Sequence, residues 1–488
     1  MRSCAVVHVT SLLGGGVNRH LRDIARSGTR PHLVWHAGER AEVLQERDRY
    51  RPLDPSRIDE DPALLHEWLR AQGVGVVHLH SLEPPARKRA LHAREALGAG
   101  LLATLHDVLF VRPDAFEAGA DQAEPAWLAE SARVLRGCDA VVAPSDYVAD
   151  LARRYIPGLE VEVVPNGSAP FAPLAASARP EFLAQRPRHT VVVLGAVGPH
   201  KGSDLLDALA AQLAGTGIAI VVLGYLDRQV VPGWRSPGTL FIHGPWSDEE
   251  VPALVEAYGA ELGLFPNRAP ETFSYALSDL WASGLPVLST PHGALGERIR
   301  RHGGGWLLPA DFDAATLARR LAELLGEGQE LARVKSQLAR PDRARVPTLE
   351  AMARSLDALY ERFGIDARDP GSAGAGAFER LAAINLDGSL FRPELARLAD
   401  ELAQAQRANG ELSEAVESAR RFEASSREWI AKLESDVASL QADVAREVGE
   451  RRRLGEETAL LGDKAAALDA LPSPLRRWLL ARIRRARG

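Results

Sequence analysis

The 488-residue chain contains only two cysteines, Cys4 and Cys138, which excludes a disulfide scaffold and a cysteine-rich zinc module. Its formal net charge is −6, which excludes a polycation built to bind nucleic acid. The N-terminal residues lack the long apolar stretch and the small-residue cleavage site of a secretory signal. These absences predict a soluble, cytoplasmic protein in a reducing compartment.

Long uncharged segments are also scarce. One runs from Ala208 to Leu226 and is long enough to suggest a membrane span. Gly215 and Gly217 interrupt it, however, so a helix, a turn and a buried strand are expected there instead.

Short β-rich runs alternate with helical patterns over about the first 345 residues, in two sets separated by a Pro/Ala-rich stretch at 168–189. Most runs are apolar throughout, which is typical of parallel strands covered by helices on both faces. We therefore predict an α/β protein with two doubly wound, Rossmann-like domains that face a cleft at the carboxyl ends of their strands. The predicted strands are 4–9, 32–36, 74–80, 101–106, 140–144 and 161–165, then 190–197, 218–224, 239–244, 262–266, 286–289 and 305–309.

Three glycines, Gly14, Gly15 and Gly16, follow the first predicted strand and open a helix. Bare amides at a helix N-terminus suit an anion such as a diphosphate, although a tight strand-to-helix turn explains them equally well. The glycines do not form the Gly-x-Gly-x-x-Gly pattern, which disfavours a nicotinamide enzyme.

Two acids lie eight residues apart, at Glu271 and Asp279. We expect Glu271 at the start of a helix, where the macrodipole favours a carboxylate, and Asp279 two turns further along on about the same face. Such a pair on the edge of a cleft can bind sugar hydroxyls. Two solvent-facing acids would show the same spacing.

The segment 270–287 resembles the Glu-x7-Glu signature of glycosyltransferase family 4, whose members have the GT-B fold. The resemblance extends over about 345 residues, because further segments follow in the family's order. These segments are 14–16, 78–80, 104–107, 144–145, 164–167 and 195–202.

The resemblance implies a role for each matching residue. Lys201 is similar to the lysine that grips the donor diphosphate, and Glu271 to the acid that holds the donor sugar's hydroxyls. His106 is similar to the histidine that reaches the donor sugar across the cleft. Gly15 and Gly16 are similar to the loop beside the phosphates and the acceptor.

The chain departs from the family pattern at two places. Asp279 replaces the second glutamate, which binds the ribose, and is one methylene shorter. Ala196 replaces an arginine that binds phosphate in many members, and either Arg268 or His200 could supply that cation. Because Lys201 and Glu271 are both present, we expect an active enzyme.

The resemblance implies that a sugar moves from a nucleotide diphosphate sugar to a glycan or lipid-linked hydroxyl, with retained anomeric configuration. The resemblance also implies transfer without a metal and without a cofactor. The expected setting is a bacterial surface polysaccharide such as an O antigen or a capsule. Alternatives are an epimerase or small-acceptor transferase of the same fold, and an inactive scaffold held in an assembly by a coiled coil.

The resemblance also divides the chain. We expect an acceptor-side domain at 1–170, a linker at 171–189, a nucleotide-sugar-binding domain at 190–345 and a closing helix at 346–365. A Gly/Ser-containing linker follows at 366–392.

Beyond that linker, apolar residues repeat every 3.5 positions over 393–470, which predicts a coiled coil with a second copy or a partner helix. A solvated helix without a partner is the alternative. The final segment, 471–488, carries six arginines and no acid, with Trp478 and several leucines between them. That composition predicts contact with an anionic membrane surface, although a solvated tail would also be basic.

Overall fold

The computed structural model describes residues 4–11, 15–38, 42–46, 49–53, 55–114, 123–169, 176–185, 187–339 and 345–365, together with 481, 482 and 485. The predicted linker at 366–392 and the predicted coiled coil at 393–470 lie outside these residues, as does most of the basic tail. Within the described residues, no helix combines the length and apolar character that crossing a membrane requires.

The first half contains a sheet whose described strands have the order β4-β3-β2-β1-β5-β6-β7-β8. From β2 through to β8 every neighbouring pair is parallel. Its strands are β1 (Ala5–Thr10), β2 (His32–His36), β3 (Glu42–Glu46), β4 (Arg49–Leu53), β5 (Val74–Leu79), β6 (Gly100–Thr104), β7 (Ala140–Ala143) and β8 (Glu162–Val163).

The second half contains a sheet with the order β11-β12-β10-β9-β13-β14-β15. It is parallel except for the edge pair β11–β12. Its strands are β9 (His189–Val197), β10 (Ile218–Leu226), β11 (Gly233–Ser236), β12 (Leu240–Ile242), β13 (Ala260–Phe265), β14 (Val287–Ser289) and β15 (Gly305–Leu307).

Helices pack on both faces of each sheet because their apolar sides join the cores around the central strands. Those of the first half are α1 (Gly16–Ser27), α2 (Pro55–Glu60), α3 (Pro62–Ala71), α4 (Pro84–Leu97), α5 (Pro125–Arg136) and α6 (Asp146–Tyr155). Those that follow are α7 (Pro180–Gln185), α8 (Ser203–Gln212), α9 (Val251–Ala257), α10 (Tyr275–Ala282), α11 (Gly293–His302), α12 (Ala314–Glu327), α13 (Gln329–Leu338) and α14 (Leu349–Phe363).

The prediction of two α/β halves with parallel sheets is confirmed, and the edges are where it is wrong. Strands β3 and β4 form antiparallel pairs at one edge of the first sheet, and β11 does so at one edge of the second. Their sequences mix polar and apolar residues, because an edge strand need not be buried on both faces. These three strands therefore leave no wholly apolar run in the sequence.

Helix α14 carries the chain back from the second half to the first. It packs against β1, β5 and β6 through Met352, Leu356 and Tyr360, which are all buried. After its last turn, the Ile365 amide donates a hydrogen bond to the Gly75 carbonyl, 3.2 Å away. The first half is therefore completed by a helix that follows the second half in sequence.

Candidate active site

Loops from both halves meet at the carboxyl ends of the strands. The Thr272 hydroxyl, in the loop between β13 and α10, donates to the His106 carbonyl after β6, at 2.6 Å. The Ser145 hydroxyl after β7 donates to the Thr272 carbonyl, at 2.7 Å. We call this pair of hydrogen bonds the Thr272 bridge. It places His106 and Glu271, two predicted site residues, on adjoining loops.

Lys201 and Glu271 also lie together. The Lys201 ammonium is 3.3 Å from a Glu271 carboxylate oxygen, and the Asn267 side-chain amide donates to the same oxygen at 3.0 Å. Lys201 lies in a short 3₁₀ turn (Pro199–Lys201) at the end of β9. The next residue, Gly202, has φ +82°, and a Cβ there would lie 2.4 Å from the Pro266 carbonyl oxygen, so glycine is required to make this turn.

The expectation that Glu271 begins a helix is wrong. Helix α10 starts four residues later, at Tyr275, and Glu271 belongs to the loop before it. Its backbone carbonyl accepts from the Ala294 amide at the start of α11. The helix cap is Ser274, a non-glycine residue with φ 71°, whose hydroxyl accepts from the Leu277 amide. Arg298 holds this strained turn by donating to the Phe273 and Ser274 carbonyls.

Asp279 is not a solvent-facing acid, because its side chain is only 3% exposed. Both of its carboxylate oxygens accept hydrogen bonds from Arg19 of helix α1, at 2.6 and 2.8 Å. Burial raises the pKa of Asp279, and the hydrogen bonds and charge of Arg19 oppose that shift. The same guanidinium lies 4.4 Å from the centre of the Tyr275 ring and 3.4 Å from Asp248. The predicted ribose ligand is therefore an internal partner of the opposite half.

The two candidates for the phosphate cation missing at Ala196 lie in different surroundings. The Arg268 guanidinium is about half exposed and pairs with both oxygens of Asp204, at 3.2 and 2.6 Å. His200 lies beside Lys201, and burial lowers its pKa. Of the two, Arg268 already forms an ion pair with a surface carboxylate, that of Asp204.

Of the predicted glycine loop, Gly14 lies outside the described residues. Gly15 is the N-cap of α1 with φ 75°, and the space beside its Cα is open. Gly16 is the first helical residue, and a Cβ there would lie 3.7 Å from the Tyr275 ring. The loop therefore faces the start of helix α10, and its role beside the phosphates stays a prediction.

His106 belongs to a cluster of buried imidazoles that the sequence reasoning missed. His8, His78 and His80 come from the adjacent parallel strands β1 and β5, where His8 and His78 are register partners, while His80 directly follows β5. His20 of α1 lies edge-on to His106, with ring centres 4.6 Å apart, and His32 stacks on His8 at 5.1 Å. The signal in the sequence is a histidine in, or within two residues after, each of the neighbouring strands β2, β1, β5 and β6.

The cluster is held as neutral rings. Burial lowers the pKa of His78 and of His106 to about 3 and that of His32 to about 4. Burial, together with the neighbouring imidazoles, also lowers the pKa of His8, His20 and His80. Two triplets among the described residues bring ring nitrogens within 4.8 Å of one another, and these are His8, His78, His80 and His20, His80, His106.

Two family models match this chain. The model "Glycosyltransferase Family 4" covers residues 14–168, and the model "Glycosyl transferases group 1" covers residues 188–327. One range lies in each α/β half, and together they contain every predicted site residue. Two α/β halves of this kind are the architecture of a GT-B glycosyltransferase. The chain belongs to glycosyltransferase family 4.

A curated relative is the "GDP-mannose-dependent alpha-mannosyltransferase" of Mycobacterium tuberculosis (strain CDC 1551 / Oshkosh), 32% identical over 168 residues. The match covers 33% of this chain and 41% of that relative. Among solved structures, Anabaena Alr3699/HepE in complex with UDP and glucose has a TM-score of 0.55 at 15% identity, covering 74% of this chain and 100% of that one. Sucrose-phosphate synthase from Thermosynechococcus elongatus has a TM-score of 0.54 at 16% identity, covering 74% and 99%. These structures share the fold.

The neutral histidine cluster predicts that acid destabilises the protein. The pKa of His32 is about 4 in the folded chain and about 6.5 when unfolded. The unfolded state therefore binds more protons between these values, so the stability is present above pH 6.5 and is lost as the pH falls. His32→Gln should reduce the loss of unfolding free energy between pH 7 and pH 5 by about 2 kcal/mol, measured by urea denaturation.

Tyr360→Phe is the control for that measurement, because it removes a buried hydroxyl from the same cluster without removing an imidazole. It should lower the stability equally at both pH values. A His32→Gln protein with the parent's pH dependence would contradict the prediction.

Arg19 and Asp279 should be coupled in stability. Arg19→Met leaves the buried Asp279 carboxylate without its cation and should cost about 3–5 kcal/mol of unfolding free energy. Adding Asp279→Asn should restore much of that loss, because the charge left unpaired is gone. Arg22→Met is the matched control, since Arg22 is 42% exposed and its pairs should contribute less than about 1 kcal/mol. Additive losses in urea denaturation would argue against the coupling.

Proposed function

We propose that this protein transfers a sugar from a nucleotide diphosphate sugar to an acceptor hydroxyl, with retention of the anomeric configuration. The observation that carries the proposal is the meeting of Lys201 and Glu271, 3.3 Å apart, with His106 joined to the same loop by the Thr272 bridge. These are the residues to which the family resemblance assigns the donor. They come from both halves of the cleft.

Each of the three residues has a physical task in this reaction. As the anomeric bond breaks, negative charge develops on the leaving diphosphate, and the Lys201 ammonium stabilises it without reorganisation. The sugar becomes oxocarbenium-like and positively charged. Glu271 holds sugar hydroxyls and supplies a carboxylate near that charge. His106 contacts the sugar from the other half as a neutral ring, which adds no repulsion.

The diphosphate side is supported by Lys201 and by backbone amides rather than by a second cation at position 196. Arg268 is less suited to replace the missing arginine, because Asp204 already holds it on the surface. We propose that the ribose reaches Asp279 after the Arg19 side chain shifts, since this carboxylate is 3% exposed while the pair is closed. No cofactor or metal has a step in this scheme.

The donor and the acceptor are part of the proposal. The curated relative is named for GDP-mannose, and a solved structure of the same fold is a complex with UDP-glucose, so these two donors are the first to test. We propose a glycan or lipid-linked acceptor of bacterial surface polysaccharide synthesis, such as an O antigen or a capsule. An epimerase or an inactive scaffold would not release a nucleoside diphosphate when given an acceptor.

The purified full chain should release GDP or UDP from one of these donors when glycan acceptors are added, measured by coupled nucleotide detection. Lys201→Ala and Glu271→Gln should each lower kcat/KM by about 100-fold or more, the loss typical of one transition-state contact. EDTA should leave the rate nearly unchanged.

Arg268→Ala is the matched control. Arg268 is a cation in the same loop as Glu271, but its guanidinium is already paired with Asp204. It should stay within a few-fold of the parent. Parent-like turnover by both site variants would show that the site lies elsewhere, and a rate abolished by EDTA and restored by magnesium would contradict the metal-free scheme.

We propose that the basic tail brings the protein to anionic lipid, where a lipid-linked acceptor is concentrated. Its described residues, Ala481, Arg482 and Arg485, are helical and exposed. The coiled coil proposed for residues 393–470 would join this tail to a second copy or to a partner helix.

The full chain should sediment with vesicles that contain anionic phospholipid and should be released by high salt, because each arginine near such a surface contributes about 1 kcal/mol. Replacing the six tail arginines by glutamine should abolish sedimentation and leave transfer to a soluble acceptor intact. Binding that survives the replacement would argue for a solvated tail.

A further inference from the structure

Four of the clustered imidazoles form an unbroken line of hydrogen bonds that ends at the cleft. His32 Nδ1 is 2.9 Å from His8 Nε2, and His8 Nδ1 is 2.8 Å from His80 Nε2. His80 Nδ1 is in turn 2.8 Å from His106 Nε2. We call these four residues the histidine chain. The first three are buried, and His106 is partly exposed.

The hydrogen bonds of the histidine chain constrain its protons. A neutral imidazole carries one N–H, so one of its ring nitrogens donates and the other accepts. His8 and His80 each use both nitrogens within the chain. Only two arrangements therefore satisfy all three bonds: every ring protonated on Nδ1, or every ring protonated on Nε2.

The far end of the chain decides between these arrangements. His32 Nε2 is buried and has no hydrogen-bond partner. If the rings were protonated on Nε2, that atom would be a buried N–H donor without an acceptor, which native structures rarely tolerate. Protonation on Nδ1 leaves only a lone pair there. The arrangement with Nδ1–H throughout is therefore the more stable one.

At the cleft end, this arrangement makes His106 Nε2 an acceptor and puts the proton on His106 Nδ1. Within the described part of the chain, nothing bonds to His106 Nδ1, and this atom is not among the enclosed polar atoms. It is thus open to a bound molecule. A group of this kind can donate a hydrogen bond but cannot accept one.

We propose that His80, supported by His8 and His32, is a positioning residue that fixes His106 as a neutral Nδ1–H donor to the sugar of the bound nucleotide sugar. This inference rests on the proposed function, because it assigns a polarity to the contact that His106 makes there. Because an N–H group needs an acceptor, its partner on the sugar is an oxygen atom. Neutrality matters because an imidazolium would repel the positive charge that develops on the sugar.

A metal held by the same rings fits the geometry less well. The facing ring nitrogens of neighbouring histidines are 2.8–2.9 Å apart, which is the distance of a direct hydrogen bond. Imidazole ligands of zinc usually donate their other N–H to a carboxylate, a backbone carbonyl or water. Here the second nitrogens of His8 and His80 are occupied by further imidazoles instead.

The test reads the tautomer of His106 directly, with ¹⁵N-histidine-labelled full chain and long-range ¹H–¹⁵N correlation spectra. The signals of His106 are assigned by their loss in a His106→Gln protein. Three variants are compared with the parent. His80→Phe removes the donor to His106, His80→Asn retains an amide N–H in place of Nδ1, and Tyr360→Phe removes a hydroxyl that bonds His78 outside the chain.

We expect His106 to be the neutral Nδ1–H form in the parent, in His80→Asn and in Tyr360→Phe, and to lose that preference in His80→Phe. On UDP-glucose or GDP-mannose, whichever is turned over, His80→Phe should lower kcat by about 10- to 100-fold, by analogy with the loss of partners that orient metal ligands. His80→Asn and Tyr360→Phe should stay within a few-fold of the parent.

An Nε2–H form of His106 in the parent would overturn the proposal, as would a kcat of His80→Phe equal to that of the parent. One equivalent of zinc that copurifies with the chain and is lost in His80→Phe would also overturn it. The spectra need no substrate. If they show the Nδ1–H form but neither donor is turned over, the proposed function fails while the proton arrangement stands.

Discussion

The Thr272 bridge is the contact on which the arrangement of the site depends. One threonine donates to the His106 carbonyl and accepts from Ser145, so a single residue of the second half is fixed to two strand ends of the first. Glu271 is its neighbour in sequence. Glu271 and His106 are therefore positioned by one another's loops, and the proposed site needs residues of both halves.

Burial acts on the two sides of the cleft in opposite ways. A neutral imidazole loses little on leaving water when both of its nitrogens are bonded, as they are in His8 and His80, so these two rings tolerate burial without a counter-ion. A carboxylate does not, and Asp279 is buried only together with Arg19. The cleft thus has neutral imidazoles on the side of His106 and an ion pair, Arg19 with Asp279, on the other.

The fold and the core of the site could be predicted because their signals are local. Apolar runs such as β9 and β10 indicate buried parallel strands, and Lys201 and Glu271 lie in contiguous motifs. The pair of Arg19 with Asp279 joins residues 260 positions apart and leaves no mark in either segment. The helix start at Glu271 was wrong because the cap at Ser274 needs a strained φ that its sequence does not announce. His8 and His32 look like ordinary strand residues until β1 and β2 are placed side by side.

The chain crosses between the two halves twice, and the crossings touch. Ser168, after β8, donates its amide to the Pro347 carbonyl and pairs with Thr348 just before α14. Gly167 makes this possible, because a Cβ there would lie 2.6 Å from the Thr348 carbonyl oxygen. Two covalent connections that lie side by side resist sliding and twisting of one half against the other. They leave rotation of the halves about the line through both connections as the least restrained relative motion. A rotation about that line would break both hydrogen bonds of Thr272 together, and its reversal would restore both.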